Sequence, residues 1–392
     1  MSTVRLVPPG LAIIAVTYGL ARFAYGLFLP ELREAFDLGA SVLGLIGSGS
    51  YAGYCVAIVV SSIFAARVGP RFMVVATGTV AVAGMALVAA APTAWVLAAG
   101  VLIAGSSSGL ASPPMGDAVA RAIAYDKQDR ANTLINSGTS VGVILSGPAA
   151  LVAAGQWRVA WAAFAAISLA VLVWNAAIMP GRERSSLTDG EGAGVPRLSL
   201  RWLVGPRSLP LFSTAVGMGL ASAAYWTFAR ELIVQAGALG QAGSTTFWMV
   251  VGASGLAGGA AGDLVARLRL TRALRSSLLA MAVAIGLLAV APGAPGAVYG
   301  SAALFGSTYI MLTGIILVWA VAVFHERPSA GLGAAFLLIA LGQVLGAPLA
   351  GTLGDATSLE TTFGLFAGVA VATAFIRPRA ENARAASTSV GR

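Results

Sequence analysis

Charged residues are scarce in this sequence, since only 10% of its 392 residues are Asp, Glu, Lys or Arg. A soluble globular domain carries roughly 25% charged residues, so this composition cannot cover a surface that faces water. Hydrophobic residues make up 58% of the chain, and its mean hydropathy is +0.85. These values predict a protein embedded in a lipid bilayer. The basic residues behind the net charge of +9 stand between apolar runs, which favours loops at a membrane surface and argues against a nucleic-acid partner.

Three residue types that often serve in catalysis occur once each, as Cys55, His325 and Lys127. One cysteine excludes an internal disulfide, and one cysteine with one histidine leaves no cluster for a metal ion. Lys127 is not part of a glycine-rich phosphate-binding loop. His325 is predicted to lie at a solvated helix end, where a cation suits the helix dipole. We therefore expect no metal, no cofactor and no enzymatic activity.

Two segments of the chain repeat at a constant distance of 200 residues. Residues 16–32 read VTYGLARFAYGLFLPEL, and residues 216–232 read VGMGLASAAYWTFAREL. Residues 140–152 match 340–352 at the same distance, with a proline and a glycine in equivalent places. Two similar halves in a membrane protein predict two helix bundles with a ligand site at their interface. The repeat therefore favours a transporter.

Twelve apolar stretches are separated by charged or Pro/Gly-rich breaks, and a helix that crosses a bilayer needs about 20 such residues. The sequence thus predicts an all-α membrane protein with spans near 9–29, 41–66, 71–91, 94–120, 131–154, 158–179, 209–230, 243–266, 274–292, 297–324, 331–353 and 361–376.

The longest polar segment, 180–207, separates the first six spans from the last six. It contains five arginines and five glycines, which is typical of a flexible linker. The predicted organisation is an N-terminal six-helix bundle (1–179), a cytoplasmic linker (180–207), a C-terminal six-helix bundle (208–376) and a cytoplasmic tail (377–392).

The distribution of basic residues predicts the orientation. If both termini face the cytoplasm, 20 of the 24 lysines and arginines lie in cytoplasmic segments and three lie in outside loops. This asymmetry follows the positive-inside rule. Arginine also greatly outnumbers lysine, which is typical of a bacterial genome rich in G and C. We expect a multi-pass protein of the bacterial inner membrane.

The arrangement of six plus six spans, with few polar residues in every third span and a long central loop, resembles the major facilitator superfamily. The opening segment GLARFAYGLFLPELR (19–33) is similar to the YbfB/YjiJ-like bacterial branch of that family. The resemblance implies two pseudo-symmetric six-helix bundles, secondary transport by alternating access, and a monomer.

A short motif adds to the resemblance. The superfamily carries G-x-x-x-D-R-x-G-R between spans 2 and 3 and repeats it between spans 8 and 9. In this sequence the second position keeps Asp263 and Arg267, and the first keeps Arg67 and Arg71 but has Ala66 in place of the aspartate. These four charged residues are expected to form contacts of a cytoplasmic gate.

Arg22 is the sharpest candidate for substrate binding. It lies well inside the first span, with Tyr18 and Tyr25 on the same helix face. An arginine at that depth costs about 2.5 kcal/mol or more and needs a partner. No span carries an Asp or Glu near its middle, so an anionic substrate is one candidate partner. The alternative is a permanent structural contact with backbone carbonyls, a tyrosine hydroxyl or Glu31.

Further polar and aromatic residues fall within the spans and could line a site. The candidates are Tyr51, Asn132, Asn136, Tyr225, Trp226 and Gln343. Each could instead serve in helix–helix packing, because buried polar side chains also hydrogen-bond between helices.

Three functions are compatible with the sequence. The first is a secondary transporter for a small organic anion, with a coupling proton as an option. The second is an efflux protein for drugs or metabolites, although a pump for lipophilic cations usually needs a buried acid. The third is a membrane sensor that does not transport, although no soluble signalling segment is evident. Only Glu31, Glu231, Asp117 and Asp263 could carry a coupling proton, and none is central.

Overall fold

The computed structural model describes residues 3–153, 155–179, 205–237 and 239–378. The predicted linker therefore lies outside the described residues except for 205–207. The same holds for the predicted tail except for 377 and 378. The fold below rests on the described ranges.

Helices occupy all twelve predicted spans. The first, α1, joins Thr3–Ile14, Ala15–Phe23, Ala24–Leu27 and Leu29–Phe36. The others are α2 (Ala40–Val68), α3 (Pro70–Ala89), α4 (Ala94–Ala122), α5 (Tyr125–Asn136 and Gly138–Val152), α6 (Trp157–Ile178), α7 (Ser208–Gln235), α8 (Gln241–Gly255, Leu256–Ala260 and Ala261–Leu268), α9 (Leu270–Val290), α10 (Pro295–Val323), α11 (Pro328–Ala356) and α12 (Leu359–Ala374).

Ten of these helices are long and apolar enough to cross a membrane, judged over the described residues. The helix α12 is shorter, and α7 is long but less apolar. The α7 helix has 28 residues and spans about 42 Å. It is buried almost without interruption from Met218 to Ile233, so it presents little surface to lipid and tolerates Ser, Thr and charged residues. The chain is an all-α membrane protein with two six-helix bundles.

The repeated segments pair with each other inside each half. In the first bundle α1 contacts α5, where a Cβ on Gly19 would lie 2.3 Å from the carbonyl carbon of Gly142. In the second bundle α7 contacts α11, where a Cβ on Gly219 would lie 2.0 Å from the carbonyl oxygen of Ile339 and 3.1 Å from the Cα of Gly342. Small residues allow such close backbone approach. Both bundles thus contain the same crossing of helices, made by glycines 200 residues apart.

We predict that Gly219→Ala destabilises the protein, because the added methyl group meets backbone rather than a movable side chain. Overpacking of this kind costs about 1–3 kcal/mol. The control is Gly300→Ala in α10, where nothing lies within 4 Å of the added Cβ. The melting temperature of the purified protein should fall for Gly219→Ala and hold or rise for Gly300→Ala. Equal melting temperatures would show that the crossing adapts freely.

The two bundles meet along two helix pairs, α2 with α11 and α5 with α8. The repeat relates these pairs to each other, since α2 corresponds to α8 and α11 to α5. Ser48 donates a hydrogen bond to the carbonyl of Val344 across the first pair, at 2.9 Å. A Cβ on Gly252 would lie 2.8 Å from the backbone nitrogen of Ile144 across the second. The interface has the pseudo-two-fold relation expected from the sequence.

Crossed salt bridges join α1 to α7 at the end predicted to face the periplasm. Arg33 Nη1 lies 2.7 Å from Glu231 Oε1, and Arg230 Nη1 lies 2.6 Å from Glu31 Oε2. Each acid belongs to one bundle and pairs with an arginine of the other. The exposed fraction of the Arg230 side chain is only 3%, so this pair is shielded from water.

Two further contacts reinforce the same end. Arg230 also donates to the backbone carbonyl of Leu27. Asp355, near the end of α11, accepts hydrogen bonds from the backbone N–H groups of Ala40 and Ser41 at 2.9 and 2.8 Å. A carboxylate suits the positive end of the α2 dipole and satisfies its free donors. This end of the bundle interface is therefore held shut.

Candidate functional site

The backbone of α1 changes its winding where the candidate site begins. Residues Ala15–Phe23 form a π-helical segment between two α-helical ones. A π-turn is wider than an α-turn and is frequent at functional sites. Arg22 lies in the last turn of this segment.

Arg22 is buried at the interface of the two bundles, with an exposed fraction of 6%. Its Nη2 donates to Oε1 of Gln343 on α11 at 2.8 Å. Its Nε has no hydrogen-bond partner among the described residues. The salt bridges formed by described side chains involve Arg33 and Arg230, not Arg22. The positive charge therefore has a neutral partner and no counter-ion there.

Four aromatic rings surround the guanidinium group. Its Cζ lies 4.2 Å from the ring centroid of Tyr54, 5.1 Å from Tyr51, 5.3 Å from Phe23 and 5.7 Å from Tyr18. Cation–π contacts at such distances each stabilise by about 0.5–2 kcal/mol. The rings solvate the cation but carry no net charge, so they leave it free to attract an anion.

Five side chains form a closed circuit of contacts across the bundle interface, which we call the central ring: Arg22, Phe23, Trp226, Tyr309 and Gln343. Gln343 Nε2 donates to the hydroxyl of Tyr309 at 3.2 Å. Tyr309 meets Trp226 edge to face at 5.1 Å between centroids, and Trp226 stacks on Phe23 at 4.1 Å with an interplanar angle of 24°. Two members come from α1, one from α7, one from α10 and one from α11.

The structure brings four of the predicted site residues to Arg22 or the central ring: Tyr18, Tyr51, Trp226 and Gln343. The Tyr18 hydroxyl shares a hydrogen bond of 2.8 Å with Ser112 on α4, which orients its ring beside the guanidinium group. These residues come from four different helices, so the site exists only in the assembled bundle.

Two predicted tyrosines point elsewhere. The Tyr25 hydroxyl donates to the backbone carbonyl of Leu43 at 2.8 Å and ties α1 to α2. The Tyr225 hydroxyl shares a hydrogen bond of 2.9 Å with Ser301, and its ring stacks on Phe305 at 3.7 Å. Both rings thus hold helices together beside the central ring.

Asn132 and Asn136 lie away from Arg22. Asn136 is exposed, and its amide donates to the carbonyl of Asn132 at 2.9 Å within the same helix. Asn136 stands six residues before Gly142, the glycine that touches α1, which is about 9 Å along the helix. In this conformation the two asparagines do not join the site.

The predicted cytoplasmic gate residues lie at the surface of the opposite end. Arg71, Asp263 and Arg267 are exposed, and the Arg67 side chain lies outside the described part of the structure. Their gating role stays a prediction.

Sequence reasoning missed three members of the site. Tyr54 follows Tyr51 by three residues and so shares its helix face, a signal that could have been read. The Tyr309 hydroxyl is a polar group within a span and so indicates a contact with a cavity or another helix, but not which one. Phe23 carries no such signal, because an aromatic residue in an apolar helix is most often core. Only the packing of α1 against α7 and α10 shows their place.

Two repeat-related six-helix bundles with a buried charge between them define a membrane transporter of the major facilitator fold. Solved structures share this fold. A mutant of the nucleoside transporter NupG matches with a TM-score of 0.74 at 13% identity, covering 94% of this chain and 98% of that one. A second NupG structure matches at 0.71 and 14% identity, covering 95% and 97%.

A bacterial homologue of the human lysosomal transporter Spinster, in an inward-facing and unoccupied conformation, matches with a TM-score of 0.71 at 12% identity, covering 95% of this chain and 94% of that one. At identities this low, the structural matches establish the fold of the chain but do not identify its substrate. No curated protein gives a significant sequence match.

The family is established by the sequence itself. Residues 14–377 match the family described as "Uncharacterised MFS-type transporter YbfB", and the chain belongs to it. This confirms the predicted superfamily and branch. The protein is a membrane transporter and not an enzyme.

Proposed function

We propose that this protein is a secondary active transporter that moves a small organic anion across the bacterial inner membrane by alternating access. The observation that supports the proposal is the uncompensated positive charge of Arg22 at the interface of the two bundles. Burying an arginine in a membrane protein costs at least about 2.5 kcal/mol. A site that binds an anion uses the charge, whereas a purely structural contact would not require it.

The geometry favours a carboxylate as the bound group. A guanidinium group offers paired N–H donors that match the two oxygens of a carboxylate. In this structure one donor is taken by the neutral Gln343 amide and another, Nε, is free. A carboxylate that displaces the Gln343 oxygen would exchange a neutral acceptor for a charged one, and its two oxygens can accept from two guanidinium N–H groups at once.

Binding at this place also affects both bundles. Arg22 belongs to the first bundle and Gln343 to the second, and their hydrogen bond is one of the contacts that cross the interface. A substrate that replaces it changes the balance between conformations by its differential affinity for them. We propose that the protein works as a monomer, since each chain contains both halves of the site.

The proposal is tested by pairs of ligands that differ only in charge. Butyrate, butyramide, benzoate and benzamide are each added to the purified wild-type protein, and the shift in its melting temperature is measured. The affinity of each ligand that shifts the melting temperature is then measured by calorimetric titration. A ligand that binds only the folded state stabilises it in proportion to the logarithm of its concentration over Kd. At least one acid should bind while its amide does not. Binding of the amides alone, or binding of neither acid, would overturn the proposal.

The orientation gives a separate prediction. Reporter domains fused after Asp37, Gly155 and Ala294 should be found outside, and those fused after Asp126, Gly190 and Arg327 should be found in the cytoplasm. The reason is the excess of basic residues in the second set of loops. Phosphatase and fluorescent-protein fusions distinguish the two sides. A consistent reversal would place the salt-bridged end in the cytoplasm.

A further inference from the structure

We infer that the substrate is a monoanion with a flat, apolar body, that is, an aromatic or conjugated monocarboxylate, and that this body lies between Phe23 and Trp226. The inference rests on the proposed function, because it takes Arg22 as the group that binds the carboxylate. It adds the number of charges on the substrate and the shape of the rest of the molecule.

The charge of the site sets the charge of the substrate. Arg22 is the one cation in the central ring. The next two arginines along α1 and α7, Arg33 and Arg230, are already paired with Glu231 and Glu31. A second carboxylate on the substrate would lose its water without gaining a cation from the described side chains. Since burying an unpaired charge is strongly unfavourable, the site selects against dianions.

The shape of the site follows from the stack of Phe23 on Trp226. The two rings come from different bundles and lie nearly parallel, with centroids 4.1 Å apart. This stack holds the bundles together beside Arg22, whose Cζ lies 5.3 Å from the Phe23 centroid. When the bundles separate, both ring faces become available at once. A flat π-system that enters between them restores both stacking contacts, whereas a puckered or chain-like body cannot.

Few polar groups line this part of the interface. Gln343 and the Tyr309 hydroxyl hydrogen-bond to each other at 3.2 Å. The Trp226 indole N–H is buried and has no hydrogen-bond partner among the described residues. A buried donor without an acceptor is destabilising, and a substrate oxygen would satisfy it. Beside the stack of Phe23 on Trp226 the interface thus offers one or two extra donors to a substrate.

Four probes separate charge from shape. Benzoate is a flat monoanion, cyclohexanecarboxylate is a puckered monoanion of similar size, terephthalate is a flat dianion and benzamide is flat and neutral. Each is titrated into the purified wild-type protein by calorimetry. Benzoate should bind about tenfold more tightly than cyclohexanecarboxylate, because an aromatic pair contributes about 0.5–1.5 kcal/mol beyond its buried area. Terephthalate and benzamide should bind more weakly than benzoate by at least that factor.

A variant links this preference to the stack. Phe23→Leu should lower the affinity for benzoate about tenfold and leave that for cyclohexanecarboxylate within about twofold. The matched control is Phe212→Leu on α7, because Phe212 stacks on Phe324, outside the central ring, with centroids 6.0 Å apart. This control should change neither affinity. If Phe23→Leu does not fold, the inference is tested by the ratio of the affinities of the wild-type protein for benzoate and for cyclohexanecarboxylate.

The outcomes separate this inference from the proposed function. If cyclohexanecarboxylate binds as tightly as benzoate, the inference that the substrate has a flat body is wrong, while the proposal of an anion site stands. If terephthalate binds most tightly, the single charge is wrong. If benzamide binds as tightly as benzoate, both this inference and the proposed function fail. If none of the three anions binds while butyrate does, this inference fails and the proposed function stands. If butyrate does not bind either, both fail.

Discussion

Replacing Arg22 with alanine is expected to weaken binding of the substrate anion ten- to a hundredfold. A hydrogen bond to a charged group contributes about 1.5–3 kcal/mol, and each 1.4 kcal/mol corresponds to a tenfold change in Kd. Transport by the protein in proteoliposomes should fall with the affinity. The measurement is a calorimetric titration of the carboxylate identified by the paired-ligand experiment.

The same variant distinguishes a binding role from a structural one by its effect on stability. If Arg22 serves the substrate, Arg22→Ala relieves the cost of burying its charge and loses its cation–π contacts and its hydrogen bond to Gln343, so the melting temperature of the ligand-free protein should change little. Arg22→Lys should restore affinity only in part, since an ammonium group cannot form the paired contact to a carboxylate. Wild-type affinity together with a lower melting temperature in Arg22→Ala would show that the arginine is structural.

Arg158 supplies the matched control for this experiment. It also combines a cation–π contact, with Cζ 4.1 Å from the Trp157 centroid, and a hydrogen bond to a backbone carbonyl, that of Ala91, at 2.9 Å. It lies at a membrane end and not in the central ring. Arg158→Ala should leave the affinity for the anion unchanged.

Neutralising Glu31 is expected to open the salt-bridged end of the interface. In Glu31→Gln, Arg230 keeps its buried position but loses its counter-ion. Leaving a buried charge unpaired costs about 3–5 kcal/mol, and that cost is relieved when α1 and α7 separate and water reaches the arginine. The conformational equilibrium should therefore shift toward the state open at this end. Glu231→Gln, which releases Arg33, should act in the same direction but less strongly, because the Arg33 side chain is 33% exposed.

The opening is measured by the reactivity of a single thiol. The chain has one cysteine, so Cys55→Ser gives a background without thiols. Thr227→Cys then places a thiol on α7, one turn before Arg230, where the native side chain is buried. A thiol reagent that does not cross membranes, added from the predicted periplasmic side, should react at least tenfold faster when Glu31→Gln is also present.

The control for opening of the salt-bridged end is Glu34→Gln, since Glu34 is exposed on the same helix as Glu31 and contributes no salt bridge among the described side chains. It should not change the rate of labelling. Equal rates in the Glu31→Gln and Glu34→Gln proteins would show that the crossed salt bridges do not hold this end shut.

The architecture was largely predictable, because its signals are local or repeat along the chain. Apolar runs of membrane length mark the spans, and the distance of 200 residues between the repeated segments predicted two similar halves. The structure adds a crossing that both halves share, at Gly19 with Gly142 and at Gly219 with Gly342. Hydropathy alone would have missed α7 as a membrane span. This helix is buried by its neighbours over most of its length, so it needs little apolar surface toward lipid.

The sequence by itself determined the membrane class, the two halves and the choice of Arg22, since the cost of a charge in a span depends on the residue and its depth alone. Only the tertiary structure decided the partners of Arg22. Gln343 lies 321 positions away, and Trp226 meets Phe23 from the opposite bundle.

Helical periodicity predicts which residues share a face. It does not predict which helix that face meets, because this depends on the angles at which the helices cross and on the π-helical turn that rotates Arg22. For the same reason Tyr225, although it matches Tyr25 in the repeat, bonds to Ser301 on α10, while Tyr25 bonds to α2. The crossed salt bridges of Glu31 with Arg230 and of Glu231 with Arg33 likewise could not be predicted from the sequence, because they depend on how the two bundles are placed side by side.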